Sequence, residues 1–305
     1  MNTTKTVLLL VIATLLSACG NEHSAQWLEK KYSNDASKFI NIDGNRVHYR
    51  DEGQGPVVVL LHGTTSSLHT WDEWAETLTN NFRVIRMDLP GFGLTGPDRS
   101  HRYEVAHDVT FLNIFLQALN VQQAHMVGSS LGGRIAWQYA LDFPEQVKSL
   151  TLLNALGYAQ ASWPPGIEMA QWPLMDKLMP YASARFMFEH GLKEVYFDEK
   201  TVTASVVDRY FELSRYPGNA TAFPKRVQAR LDKDSEDIKK ITQPTLILWG
   251  EKDLYFPVEN AHRFKHDISI SKIHTYPDVG HLPMEEVPQL SLQHFDEFVN
   301  DISQP

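Results

Sequence analysis

The sequence predicts an α/β fold in which a mostly parallel sheet is flanked by helices and interrupted by a helical insertion. Three observations predict it. Short apolar runs alternate with helix-like segments before about residue 156 and again after about residue 240. The stretch between those limits is rich in aromatic residues and Met and has no clear strand-like run. The run Val57–Leu61 is β-branched or apolar throughout, as expected of a strand buried on both faces.

The elements follow in order. Phe39–Ile42 and Val47–Arg50 flank Asp43-Gly44 and read as a hairpin. After Val57–Leu61, the segment Trp71–Leu78 reads as a helix and Phe82–Leu89 as the next strand. Val105, Val109, Leu112, Leu116 and Leu119 recur at helical spacing and mark one buried face. Ala124–Gly128 reads as a strand, Leu131–Asp142 as a helix and Val147–Leu153 as a strand. Thr245–Trp249 and Ile270–Tyr276 complete the strands, and Gln289–Ile302 forms a last helix. Residues 37–156 and 240–305 therefore make the core, and 157–239 a helical cap. Within the cap, Pro164-Pro165, Pro173, Pro180 and Pro217-Gly218 punctuate short helices. Some of its aromatics and methionines should line an apolar pocket.

With 305 residues, 43% of them hydrophobic, the chain can bury a large core without disulfides. A net charge of −9 argues against a nucleic-acid partner, because phosphates demand clustered Lys and Arg. Oligomeric state cannot be read from the sequence.

Gly128-Ser129-Ser130-Leu131-Gly132 fits G-x-S-x-G and falls between a predicted strand and a predicted helix. Such a sharp turn needs tiny residues on either side of its centre, which Gly128, Gly132 and Gly133 provide. Ser130 then stands at a helix N-terminus, where N–H groups favour a developing oxyanion. A serine hydroxyl needs a base, and the base needs an orienting acid. Asp253 follows the strand ending at Trp249, and His281 follows the strand ending at Tyr276. Both sit on loops and in the order Ser, acid, His. Glu251 and Asp278 are rival acids. A position after the preceding strand could also carry the acid, but Asn154 stands there and is uncharged. His262 and His294 lie in predicted helices and read as solvated. The second oxyanion donor is assigned to Thr64 in His62-Gly63-Thr64, and the first to Leu131. His62 reads as structural, its ring bonded to loop backbone.

These stretches, with Asp88-Leu-Pro-Gly-Phe-Gly93, Trp249-Gly-Glu-Lys-Asp253 and Gly280-His281, resemble the α/β-hydrolase family over about Lys38 to Ile302. Among capped members the chain is similar to esterases and to carbon–carbon bond hydrolases of aromatic ring cleavage. It lacks the Gly-Pro-Gly of the latter; Thr65-Ser66-Ser67 stands there. Epoxide hydrolases and haloalkane dehalogenases use Asp at the nucleophile position, so Ser130 counts against both. The resemblance implies hydrolysis of a small to medium apolar or aromatic ester through an acyl-enzyme. Carbon–carbon hydrolysis is the alternative, and an envelope binding protein with a vestigial site is the alternative outside catalysis.

At the amino terminus, Lys5 precedes the apolar run Val7–Leu16 and then Ser17-Ala18-Cys19-Gly20. The run suits a signal h-region and is too short to span a bilayer. Leu16-Ser17-Ala18-Cys19 resembles the lipobox of bacterial lipoproteins. That resemblance implies removal of residues 1–18, acylation of Cys19, and attachment to the cell envelope, with Gly20 suiting the outer membrane. Residues 19–36 would then be a polar tether. Gly91-Phe-Gly-Leu-Thr-Gly96 fits a dinucleotide fingerprint, but Pro97 and a polar run follow where a helix should open. His262 and His266 have ligand-like spacing with no supporting carboxylate or cysteine pattern. No metal and no cofactor are therefore expected.

Overall fold

The computed structural model describes residues 24–160, 163–182, 184–229 and 236–303. Cys19 and the apolar run before it lie outside the described residues. Eight strands form one sheet in the order β1-β2-β4-β3-β5-β6-β7-β8. They are β1 Ser37–Ile42, β2 Asn45–Glu52, β3 Val57–Leu61, β4 Arg83–Met87, β5 Ala124–Ser129, β6 Val147–Leu153, β7 Thr245–Gly250 and β8 Ser271–Tyr276. The β1–β2 and β2–β4 pairings are antiparallel, and those from β4 through β8 are parallel.

The register sets up the site. Leu61 pairs with Gly128, and Ser129 with Leu153, so β3, β5 and β6 end at one level. The loops after them emerge together at the carboxyl edge, where ligands of parallel sheets bind. β5 and β7 are buried at every position, which explains why their sequences show no alternation.

Before and among these strands run α1 (Ala25–Tyr32), α2 (Asp72–Leu78), α3 (Val105–Ala118) and α4 (Leu131–Asp142). The α3 stripe works as its spacing predicts, with Val109, Leu112 and Leu116 at most 2% exposed. Between β6 and β7 the regular elements among the described residues are all helical. The α-helices there are α5 (Pro165–Ala170), α6 (Met175–Ala182), α7 (Arg185–Val195), α8 (Ala204–Ser214) and α9 (Asn219–Gln228). The chain ends with α10 (Glu259–Asp267), α11 (Pro283–Glu286) and α12 (Pro288–Ser303). One buried ion pair joins cap to core: Arg226 of α9 donates to Asp108 of α3 and to the Pro90 carbonyl.

The tether reading of residues 19–36 fails from Ala25 onward. That segment is α1, capped by the Ser24 hydroxyl and held against the body. Leu28 is fully buried against Leu94 and Leu213, Lys31 and Tyr32 both bond Glu212, and Glu29 pairs with Arg46. Its composition is polar, but Leu28 and Tyr32 lie four apart on one face, and they dock a short helix together with the ion pairs of Lys31 and Glu29. β1 then begins at Ser37.

Candidate active site

Ser130 is the residue between β5 and α4, with φ 54° and ψ −117°. An L-residue rarely adopts that backbone, so the neighbours must hold it there. They do so through close packing. A Cβ on Gly132 would strike the Leu61 and His62 carbonyls, and one on Gly63 would come within 2.9 Å of the Ser130 Cβ. The Ser130 N–H donates to Leu153, and its carbonyl accepts from Arg134 and Leu156. The elbow thus wedges Ser130 against the β3 loop at the amino end of a helix of 12 residues.

His281 and Asp253 come together as their loop positions predict. The Nδ1 of His281 lies 2.7 Å from Asp253 Oδ2. A carboxylate only accepts, so Nδ1 carries the proton and Nε2 keeps its lone pair free to accept one. The His281 N–H donates to the Val195 carbonyl at 2.8 Å, and the ring is flanked by Tyr255 and Phe256, each at 5.3 Å between centroids. Asp253 Oδ1 accepts the Tyr255 N–H at 2.7 Å. The rival acids stand elsewhere: Glu251 accepts from Thr275, and Asp278 is exposed.

Asn154 was dismissed as an acid position, and the structure gives it another place. Its Nδ2 donates to Asp253 Oδ2 at 2.6 Å, and its Oδ1 accepts the Gly250 N–H at 3.1 Å. It is fully buried with φ 42°, a conformation Asn tolerates better than most residues. Asn154 therefore grips the oxygen that faces the imidazole. The signal for it was its place one residue past β6, at the carboxyl edge shared with β7.

Thr64 and Leu131 line the same cavity as Ser130 and His281. His62 bonds loop backbone at both ring nitrogens. Its Nε2 accepts the Leu89 N–H at 3.0 Å, so Nδ1 must be the donor to the Gly63 carbonyl at 2.7 Å. That carbonyl shares a planar peptide with the Thr64 N–H, which must point the opposite way. His62 is thus a positioning residue for the Thr64 donor. Burial holds its pKa below the ordinary histidine value, which keeps it in the neutral form this geometry requires.

The cavity above Ser130 has a volume of 1230 Å³. Trp163, Ile167, Met169, Met179, Phe186 and Phe223 give it an apolar wall from the cap. No Lys or Arg is among the described residues that line it, and its one carboxylate is Glu194. The cap aromatics divide accordingly: Trp163, Phe186, Phe188 and Tyr210 line the cavity, whereas Trp172, Tyr181 and Phe197 face out. Gly91, Phe92 and Gly93 line it too, so the Gly-rich segment serves as a loop at the site.

Sequence reasoning missed the latch that follows His281. In α11, Glu285 accepts from Thr70, Tyr196, Arg209 and Tyr210, and Glu286 accepts the Gly280 and Phe197 N–H groups. These contacts tie α7 and α8 to the histidine loop. His294, expected to be solvated, instead stacks on His274 at 3.8 Å and bonds the Tyr276 hydroxyl. Among the described residues, no cluster of three His, Cys, Asp or Glu could hold a metal, and no helix is long and apolar enough to cross a membrane.

Comparison with known proteins agrees with this geometry. The model of the α/β hydrolase fold matches residues 56–288. A 2-hydroxy-6-oxo-2,4-heptadienoate hydrolase of Pseudomonas putida is 28% identical over 264 residues, covering 81% of this chain and 90% of the relative. A meta-cleavage product hydrolase structure superimposes with a TM-score of 0.77 at 26% identity, covering 87% of this chain and 98% of that one. A membrane phospholipase A structure gives 0.76 at 26% identity, covering 99% and 96%. The family model spans most of the chain and these relatives cover four fifths of it or more, so the chain belongs to the α/β-hydrolase fold family and is a hydrolase.

Proposed function

We propose that this hydrolase cleaves carboxylic esters of apolar acyl or aromatic groups through an acyl-enzyme on Ser130. His281 Nε2 takes the Ser130 proton as Oγ attacks the ester carbonyl. Asp253 holds the imidazole in its tautomer and balances the charge it acquires. The N–H groups of Thr64 and Leu131 receive the oxyanion, and the proton then passes to the departing alcohol. Water, activated by the same imidazole, releases the acid and restores Ser130.

The observation that carries the choice of substrate is the chemistry of the cavity wall. The wall from the cap is mostly apolar, its polar groups are neutral amides and hydroxyls, His190 and Glu194, and no Lys or Arg is among its described residues. A neutral ester needs no cation there. A dienoate carries a carboxylate, whose burial without a partner is costly. Carbon–carbon hydrolysis remains the second reading, favoured by the 28% identity to the heptadienoate hydrolase. We further propose that Cys19 is acylated and holds the protein at a bacterial membrane, on the strength of the sequence Leu16-Ser17-Ala18-Cys19.

A substrate panel tests the reading. Esters of graded acyl length, a phospholipid and a 2-hydroxy-6-oxo-dienoate are compared by kcat/KM. The account expects the best ester to exceed the dienoate. The reverse order overturns ester hydrolysis in favour of the second reading.

A further inference from the structure

The outer surface of the cap carries a patch that a water-facing surface does not need. Of twelve exposed large hydrophobics among the described residues, six fall between positions 172 and 187: Trp172, Leu174, Leu178, Tyr181, Phe186 and Met187. That density makes a patch rather than the usual scatter of single residues. Leu178 and Tyr181 lie three apart on one stripe of α6, 56% and 67% exposed, and Leu174, 59% exposed, stands at the residue before the helix. A surface helix normally turns such a stripe inward. Here the cavity side is served by Met179 instead.

The patch is continuous with the cavity. Phe186 is 72% exposed and Met187 38%, yet both line the cavity, so they stand at its rim. The charges within the patch cancel: Asp176 adjoins Lys177, and Arg185 pairs with Asp208 at 2.7 Å and Glu189 at 3.5 Å. Whatever covers this face is met by apolar contact rather than by charge.

The chain before the described body limits what that can be. Because α1 is docked rather than free, the link from Cys19 to Ser24 is five residue steps. At full stretch it spans about 18 Å at most. With Cys19 acylated, the body cannot move away from the bilayer by its own width. The link also enters at the seam of cap and core, since α1 rests on Leu213 and Glu212 of α8 as well as on Leu94.

We propose that the α6 stripe and the cavity rim dock on a lipid bilayer, so that the ester enters the cavity directly from the membrane. The proposal rests on the ester-hydrolase and Cys19 readings above. Binding is apolar, and zwitterionic vesicles serve as well as anionic ones, with no loss in high salt.

The full chain, and the full chain with Cys19→Ser, are reconstituted in phosphatidylcholine vesicles with brominated acyl chains. The proposal expects the emission of Trp172, isolated by difference from Trp172→Phe, to be quenched in both. It also expects Leu174→Ser/Leu178→Ser/Tyr181→Ser to lower hydrolysis of a vesicle-embedded ester by about tenfold or more, three apolar anchors having been lost. Turnover of a dissolved short-chain ester stays unchanged. An unquenched Trp172, or equal loss on both substrates, overturns docking. A dimer that the triple variant dissociates, with quenching unaltered, assigns the patch to a second copy and also overturns it. No turnover of the dissolved ester overturns the ester reading, and a mass showing no acyl group on Cys19 overturns the anchor; quenching decides docking apart from either.

Discussion

Replacing Asn154 by Asp changes one atom's chemistry at the centre of the site and nothing in its shape. Asn154 Nδ2 lies 2.6 Å from Asp253 Oδ2, the oxygen that also bonds His281. Asp tolerates the φ of 42° nearly as well as Asn and can still accept the Gly250 N–H. Two ionised carboxylates at this distance would repel by about 6 kcal/mol at an effective dielectric near ~20, or about 4 pKa units. Added to an ordinary carboxylate value near ~4, this keeps one shared proton on the pair up to about pH 8. At neutral pH the protonated Asp therefore donates as the Asn amide did, and kcat stays within about threefold of the parent. Above about pH 8 the proton leaves and kcat falls, where the parent holds its plateau. Asn154→Ala has no donor at any pH. It loses a bond to a charged acceptor and strands a buried N–H, costing about 2–4 kcal/mol of stability and about tenfold in kcat. The assay is a kcat–pH profile on a dissolved ester, with urea denaturation of each variant. A profile for Asn154→Asp as flat as the parent's through pH 10, or an Asn154→Ala variant of full activity and stability, refutes the positioning role.

Three further outcomes follow from the geometry. His62→Phe keeps a ring but frees the Gly63–Thr64 peptide; kcat should fall about 10–100-fold with KM little changed, and an unchanged kcat in single-turnover acylation would refute the orientation of Thr64. Burial, aided by Lys148, lowers the pKa of His125 to about 4, so the fold keeps it neutral while the unfolded chain takes up a proton below about 6.5. The unfolded chain is favoured progressively as pH falls from 6.5 toward 4, a loss on the order of 3 kcal/mol; urea midpoints at pH 7.5 and 5 should lie closer together in His125→Gln, which still keeps the buried His62, and would contradict this by remaining as far apart as in the parent. Arg226→Met strands the buried Asp108 carboxylate and should destabilise by about 3–5 kcal/mol, and a loss below about 1 would show that the pair does not fasten the cap.

The core was legible because its signals are local. A strand buried on both faces reads as an apolar run, and Gly128 to Gly133 announce a turn that no larger residues could make. That Asp253 and His281 would meet was readable from loop position and chain order, since parallel strands deliver the loops after them to one edge. What escaped was the identity of partners across elements. The side chains of Asn154, Glu285 and Arg226 act on residues at least 96, 75 and 118 positions away, and nothing in their neighbourhoods marks those pairings. α1 escaped for another reason: one buried Leu and a few ion pairs dock it, and composition averages such a pattern away. The division of cap aromatics between cavity and surface depends on helix rotation, which broken, proline-punctuated helices leave undetermined in the sequence. The α6 stripe is legible in retrospect, because Leu178 and Tyr181 keep helical spacing, but the spacing does not say that the stripe faces water.

The most direct test of the account is covalent labelling by a fluorophosphonate, with the adduct mapped by peptide mass spectrometry. The account predicts one adduct, on Ser130, formed more slowly once His281→Gln has removed the base. Ser130→Ala should abolish it while leaving the urea midpoint in place. An adduct on another residue, or none on the folded protein, contradicts the assignment of Ser130 as the nucleophile.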